Sequence, residues 1–562
     1  MPFLRRTMRI VVPFCSLFMS GIALAQKPAA KDPVSVRMPA AAFAAMQTIN
    51  PEHIRGHVRF LSDDLLEGRG TGQRGGDIAA AYIATEFAEY GLKPAGENGS
   101  YLQKVPLVGV TTLPETRFTL APKQGPAMNL KLLDDYVAYD QTQQAHSDVD
   151  ADVVFVGYGI DAPEYNWDDY KGADVRGKVL LMLVNEPPSN DPAFFKGNAL
   201  TYYGRWTYKY EEAARKGAVG VILIHKEDMA SYPWEVVRSS NSGEKSYLKI
   251  EGPVLKVAAW MQLDAAKKLA AASGMNLEKM MADARSRDFR PVYLGAKLKA
   301  HMVSRIRTFE SNNVVAILPG ADRKLKDEAV IYTAHYDHLG IRFDMPGDNI
   351  YNGAADNATG CGILLELARV YGEAKDRPGR SVIFAAVTAE EQGLLGSEYL
   401  GKHPPVPAGK ITLDLNYDDV KPLGAPEEVE VSGAERTTFY PWVQATAKEF
   451  RLAIRADARP EAGEFYRSDH FSMARAGIPS FSINEGTKFK GHDEAWGLAQ
   501  ETEFVEKRYH QPSDEYHPEM DFVGDAAMAR FGFALGWEAA DLPRLIGWQK
   551  GDEFEAARVK SQ

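Results

Sequence analysis

Cysteine is nearly absent: the 562 residues hold two, Cys15 and Cys361. That is too few for a disulfide-stapled scaffold. A basic excess is also missing. There are 65 Lys and Arg against 76 Asp and Glu, a net charge of −11, which suits a nucleic-acid backbone poorly. After residue 30 no apolar run is long enough to span a bilayer. There is no internal repeat and no low-complexity tract. The glycine-rich stretch "EGRGTGQRGG" (67–76) lacks the lysine of a phosphate-binding loop and follows no strand, so it reads as a structural loop. What remains is ordinary globular composition, 45% hydrophobic and 25% charged, in a chain long enough for several domains.

The first residues differ from the rest. "MPFLRRTMRIVVPFCSLFMSGIALAQ" places Arg5, Arg6 and Arg9 before a short apolar core and a small-residue "ALA". This is the pattern of a secretory signal, residues 1–25, cleaved after Ala25. The protein is therefore expected to be exported, periplasmic or secreted, with no stable membrane insertion. Cleavage removes three arginines and no acid, which moves the net charge from −11 to −14. Cys361 would be the sole remaining cysteine, packed as a small buried residue.

Periodicity divides the rest. Helices are expected over about 51–62 and 75–90, within an N-terminal part spanning 26–145. Residues 146–295 read as an inserted domain, with buried strands in "GKVLLMLVNE" and "GAVGVILIHK" and no cluster of His, Cys and acid. From 296 to 562 strands alternate with helices: "EAVIYTAHYDHLG", "ATGCGILLELARVYGEA", "RSVIFAAVTAEE", "KITLDLNYDD". That rhythm predicts an α/β fold, a mostly parallel open sheet with helices on both faces. Ligands of such sheets bind beyond the carboxyl ends of the strands.

Those strand ends carry the chemistry. His335 and Asp337 share a face of an extended segment, so the acid can orient the imidazole. Asp356 precedes an apolar helix. Glu390 and Glu391 follow the strand "SVIFAAV". Asp414 lies among apolar residues, where a lone carboxylate is costly; Asp418 and Asp419 are alternatives in the same stretch. His510 comes near the end. Two His, two Asp and one Glu match the ligand count of two zinc ions sharing a carboxylate, and a second Glu remains as a general base. The adjacent glutamates would repel each other unless cations lie between them.

These motifs resemble the co-catalytic zinc aminopeptidases, bacterial leucyl aminopeptidases among them, which share a family with glutamate carboxypeptidase and the transferrin receptor. The resemblance rests on "AHYDHLG", "NGAADNATG", "TAEEQGLLGSEYL", "TLDLN", "YHQPSDEY", "LLEGRGTGQRG" and "SDHFSMARAGIPSFSI". The insert, with "DYKGADVRGKVLLM" and "KGAVGVILI", resembles a β-rich protease-associated domain. The resemblance implies a zinc exopeptidase with two Zn²⁺ ions acting on peptides. It implies that Asp356 bridges the metals, that His335 and Asp414 complete one site, and that Glu391 and His510 complete the other. Glu390 would be the general base and Asp337 the support of His335. A cis peptide is implied at Asp356–Asn357. Tyr466, Arg467, Asp469 and His470 are candidate substrate contacts, while His338, His492 and His517 read as rim or surface residues. The acids of "QETEFVEKR" read as a solvated face. Two alternatives stand beside the aminopeptidase: a carboxypeptidase, whose cationic pocket would draw on Arg467 and Arg475, and a non-catalytic receptor-like protein.

Overall fold

The computed structural model describes residues 38–562, apart from 124, 231 and 344. The expected signal sequence lies outside these residues. The described residues all fall within one compact unit. Within it, two sheets share one strand, the 27-residue Val292–Leu318. Its first half pairs with His146–Phe155 and Arg117–Pro122. Its second half pairs with Leu102–Thr112 and Ser381–Val387.

The sheet that carries the site runs 480–482, 411–416, 329–335, 381–387, and then the long strand. The first four are mutually parallel, and the long strand is antiparallel to its neighbour. "AVIYTAH", "SVIFAAV" and "ITLDLN" are buried at every position. That is why they read as continuous apolar runs rather than alternating ones. Alternate side chains go to opposite faces. Val330, Tyr332 and Ala334 face a core built with the helices Pro51–Leu61, Thr359–Glu373 and Val523–Asp541. Ala329 and Ile331 face a smaller core with Leu400 and Met473, from helices Leu395–Lys402 and Asp469–Arg475. Helices therefore cover both faces. The N-terminal helix starts where expected because Asn50 caps it, accepting the Glu52 amide, and Pro51 needs no partner at the first position.

The second sheet differs from the β-rich layout anticipated for it. Strands 146–155, 179–183, 220–225 and 257–262 are parallel neighbours. Helix Leu263–Ala272 packs into the core on one face and Trp206–Arg215 into the core on the other. Strands Arg117–Pro122, Met128–Leu130 and Tyr136–Tyr139 also pair in this sheet, although they precede residue 146. Their short patterns gave no sign of which sheet they join, because register is a tertiary choice. No helix among the described residues is long and apolar enough to cross a membrane.

Candidate metal centre

Parallel strands bring their carboxyl ends to one edge, and the polar groups gather there. His335 ends its own strand. Its Nδ1 donates to the Asp337 carbonyl at 3.1 Å, which turns Nε2 toward Asp356 Oδ1 (3.3 Å) and Asp418 Oδ1 (3.0 Å). The other Asp356 oxygen, Oδ2, lies 3.3 Å from His510 Nε2 and 3.9 Å from His338 Nδ1. Glu391 closes that side, 2.6 Å from His338 Nδ1 and 3.1 Å from His510 Nε2. Two groups of donor atoms therefore share Asp356: His335, Asp356 and Asp418, and His338, Asp356 and Glu391.

Two placements depart from the sequence expectation. Asp414 is not in the cluster. It lies inside its strand, where Oδ1 accepts from the Thr333 hydroxyl at 2.9 Å and Oδ2 has no partner. Burial pushes its pKa well above the carboxylate range, against the hydrogen bond from Thr333, and so favours the neutral form. Asp418, two residues past the strand end, takes the place expected of it. His338 is not a rim residue but is 1% exposed, wedged against Glu391. The "HYDH" spacing held that signal: a residue three beyond His335 can return to the same edge once the chain turns.

The loops are set by residues remote in sequence. Arg69, from the stretch read as a structural loop, is 1% exposed. It donates to the carbonyls of Tyr336 (2.7 Å), Asn352 (2.5 Å), Gly353 (2.8 Å) and Leu61 (2.5 Å). Thr71 of the same stretch donates to Asp337 Oδ2 at 2.8 Å, while Asp337 Oδ1 accepts the Glu390 amide at 3.1 Å. Asp514 accepts the amides of Ala355 and Asp356, both at 3.0 Å, fixing the loop that carries the shared carboxylate. Gly353 adopts φ 59°, and a side chain there would strike the Asp356 carbonyl and the His338 ring. The Asp356–Asn357 peptide is cis. Ser468 donates to Asp418 Oδ2 at 2.6 Å and accepts from Asn416 at 2.9 Å. Arg69, Asp514 and Ser468 lie inside the motifs "LLEGRGTGQRG", "YHQPSDEY" and "SDHFSMARAGIPSFSI", but only the fold shows what each of them holds.

The adjacent glutamates diverge. Ala389 takes φ 56° just ahead of them. Glu391 turns into the cluster, while Glu390 lines the adjoining cavity of about 350 Å³. Arg467 and His470 line the same cavity. Tyr466 and Asp469 lie behind it; the Tyr466 hydroxyl donates to Glu553 at 2.6 Å. Arg475 is committed elsewhere, paired with Glu211 at 3.0 Å. The helix Glu494–Lys507 is not merely a solvated face, because Glu501, Phe504 and Val505 form part of the cavity wall.

Electrostatics show what the donor set fits. Burial opposes charge on His335, yet Asp418, Glu390 and Asp356 hold its pKa well above the usual value. Burial likewise opposes charge on His510, yet Glu391 and Asp356 raise it to about 11. Burial and Asp356 push Glu391 up, but His338 and His510 pull it down to about 2. Burial pushes Glu390 well above the carboxylate range, against the pull of His335. The clustered carboxylates thus demand positive charge, which protons on imidazole supply when nothing else does. Imidazole nitrogens and carboxylate oxygens so placed are the donors that divalent zinc takes.

An α/β sheet with a buried imidazole–carboxylate cluster at its carboxyl edge is an arrangement whose donor groups could hold a metal ion. Residues 313–529 match the profile described as Peptidase family M28. It is 36% identical over 117 residues to Aminopeptidase NAALADL1 of Rattus norvegicus, covering 19% of this chain and 14% of that one. It is 27% identical over 275 residues to Leupeptin-inactivating enzyme 1 of Streptomyces exfoliatus, covering 47% and 57%. It is 29% identical over 208 residues to Aminopeptidase YwaD of Bacillus subtilis (strain 168), covering 36% and 39%. The chain thus matches from about a seventh to just over half the length of these relatives. A solved aminopeptidase from Aneurinibacillus sp. strain AM-1 aligns over 90% of this chain and 97% of its own, at 19% identity and a TM-score of 0.48.

Proposed function

We propose that the protein is an exported dizinc aminopeptidase that removes N-terminal residues from peptides. The observation that carries this reading is the position of Asp356. Each of its oxygens faces a different set of donors, Oδ1 toward His335 and Oδ2 toward His510 and His338. A short carboxylate so placed suits two ions side by side. The match of residues 313–529 to Peptidase family M28 and the likeness to relatives described as aminopeptidases support it.

His335, Asp356 and Asp418 would hold one ion, and Asp356, Glu391, His510 and His338 would surround the other. When bound, the ions supply Lewis acidity toward the scissile carbonyl and acidify a water. The chain's own residues do the rest. Glu390, at the cavity wall beside the cluster, accepts the proton of the attacking water and returns it to the leaving amine. Asp337 fixes the orientation of His335 and, through the Glu390 amide, the start of the Glu390 turn. Thr71 and Arg69 hold those groups from behind. The second sheet is read as a protease-associated insert from its sequence resemblance, and export from the leader pattern of residues 1–25.

A panel of unblocked and N-acetylated peptides tests the reading, with zinc content measured on the same sample. Cleavage of unblocked peptides with about two zinc per chain is expected. Cleavage of blocked peptides alone would replace it with the carboxypeptidase reading. Absence of zinc and of hydrolysis after zinc addition would replace it with a non-catalytic binding protein.

A further inference from the structure

The segment 548–554 lies beyond the residues that match the family profile, 313–529, yet it reaches the loop that walls the cavity. Glu553 makes that contact, with only 11% of its side chain exposed. It meets three parts of the chain at once. Its Oε1 accepts from the Arg436 guanidinium at 2.5 Å and from the Tyr466 hydroxyl at 2.6 Å. Its Oε2 accepts the Tyr202 amide at 3.2 Å. The Arg436 guanidinium is itself fixed, lying over the Phe465 and Phe554 rings at 4.4 and 4.8 Å.

The stretch that carries Tyr202 is pinned on both sides. Glu186 accepts the Thr201 amide at 3.1 Å and the Thr201 hydroxyl at 2.5 Å. The Leu200 amide donates to the Pro460 carbonyl at 2.9 Å. The Tyr202 ring packs against Phe471 and Tyr466, with centroids 5.1 and 6.3 Å apart. Glu553 therefore sits where the second sheet, the cavity loop and its own segment meet. Its neighbour Asp552 supplies a contrast. Asp552 also pairs with Arg436, at 2.9 and 3.0 Å, but among the described residues it bonds to neither Tyr466 nor Tyr202.

From Tyr466 the chain runs straight to the metal centre. Ser468 donates to Asp418 Oδ2 at 2.6 Å. The turn between them is tight: the Tyr466 amide donates to the Gly463 carbonyl at 3.1 Å, and the Arg467 amide to the Glu464 carbonyl at 3.0 Å. A link this short has little reach to absorb a displacement. Where the Tyr466 hydroxyl is held thus sets where Ser468 stands. We propose that Glu553 is a positioning residue for the metal centre: it holds Tyr466, and through that loop it keeps Ser468 on Asp418. This rests on the dizinc reading above and adds to it a group, remote in sequence, that sets affinity for the ion on the Asp418 side. A ligating carboxylate is oriented by the donor behind it, and loosening that donor weakens the metal.

The test takes two measurements on the full chain: hydrogen exchange of the metal-free protein over residues 463–468, and zinc affinity by competition with a chelator. Tyr466→Phe removes one hydroxyl and keeps the ring. Glu553→Ala removes all three bonds. Asp552→Ala is the control, since it removes an Arg436 pair without touching the loop. Tyr466→Phe and Glu553→Ala should each quicken exchange over 463–468 and weaken one zinc equivalent by about 10-fold, the low end for partners one step removed from a metal. The double variant should bind zinc no more weakly than Glu553→Ala alone, because both changes break the same bond. Asp552→Ala should stay within about twofold, as an independent site would. Unchanged zinc affinity in Tyr466→Phe and Glu553→Ala overturns the proposal. An equal loss in Asp552→Ala also overturns it, because the segment would then be a general support. If the unmodified chain binds no zinc, the dizinc reading fails on its own. Exchange then decides what remains: quickened in those two variants alone, the hold of Glu553 on the loop stands, and unchanged, it falls.

Discussion

Asp414 and Asp418 lie four residues apart, and their variants should behave in opposite ways. Asp418 Oδ1 is 3.0 Å from His335 Nε2, and its Oδ2 accepts from Ser468 at 2.6 Å. Asp418→Ala removes one of the three donors of its group. Partners one step removed from a metal are worth about 10- to 100-fold in affinity, so loss of a direct ligand should cost about 100-fold or more. Asp414 is different. It is fully buried, its pKa is raised by that burial, and its side chain is tied only to the Thr333 hydroxyl. An amide has nearly the shape of a protonated carboxyl, and its carbonyl can accept the same bond. Asp414→Asn should therefore change stability by no more than about 1 kcal/mol, the scale of one neutral hydrogen bond, and leave metal affinity within about threefold, under 1 kcal/mol. The assay is zinc competition against a chromophoric chelator, with urea unfolding of the same samples. Asp414→Asn losing zinc while Asp418→Ala keeps it would refute both the placement and the charge argument.

Three further outcomes follow. Glu390→Gln should keep its metal and lose about 10²- to 10⁴-fold in kcat, whereas Glu391→Ala should lose metal; equal metal loss in both would show the pair is misassigned. Arg69→Met removes a donor from four buried carbonyls, of which Gly353 keeps the Ala358 amide; at about 1–3 kcal/mol for each one stranded, partly offset by removing a buried charge, urea unfolding should show a loss of about 3 kcal/mol or more, and a loss under about 1 kcal/mol would mean the loops hold themselves. Metal binding should displace protons, because His510 in the metal-free cluster is raised to about 11. Affinity should then rise with pH through the neutral range, and calorimetry in two buffers of different ionisation enthalpy should show proton release. The folded-state pKa of His510 exceeds its unfolded value of about 6.5. Its contribution to the metal-free protein is complete below that value and is lost as pH rises toward about 11. A chelated sample whose Tm gains stability across that range would contradict this.

The residues themselves settled much. Continuous apolar runs marked the parallel strands, because strands buried on both faces cannot alternate. Acids and histidines just past those runs marked the edge where the site forms, since parallel strands end together. The neighbouring Glu390 and Glu391 raised the question of cations, and the fold answers part of it by sending the two side chains to different places. Only the tertiary structure chose between Asp414 and Asp418. Both follow the same apolar stretch, and the choice depends on where the strand ends and which oxygen meets His335. Only the fold could show Arg69 and Thr71 reaching, from more than 260 residues away, into the loops that hold the cluster. Periodicity reports which face of an element is buried, and it carries nothing about which remote backbone carbonyl a buried guanidinium will meet.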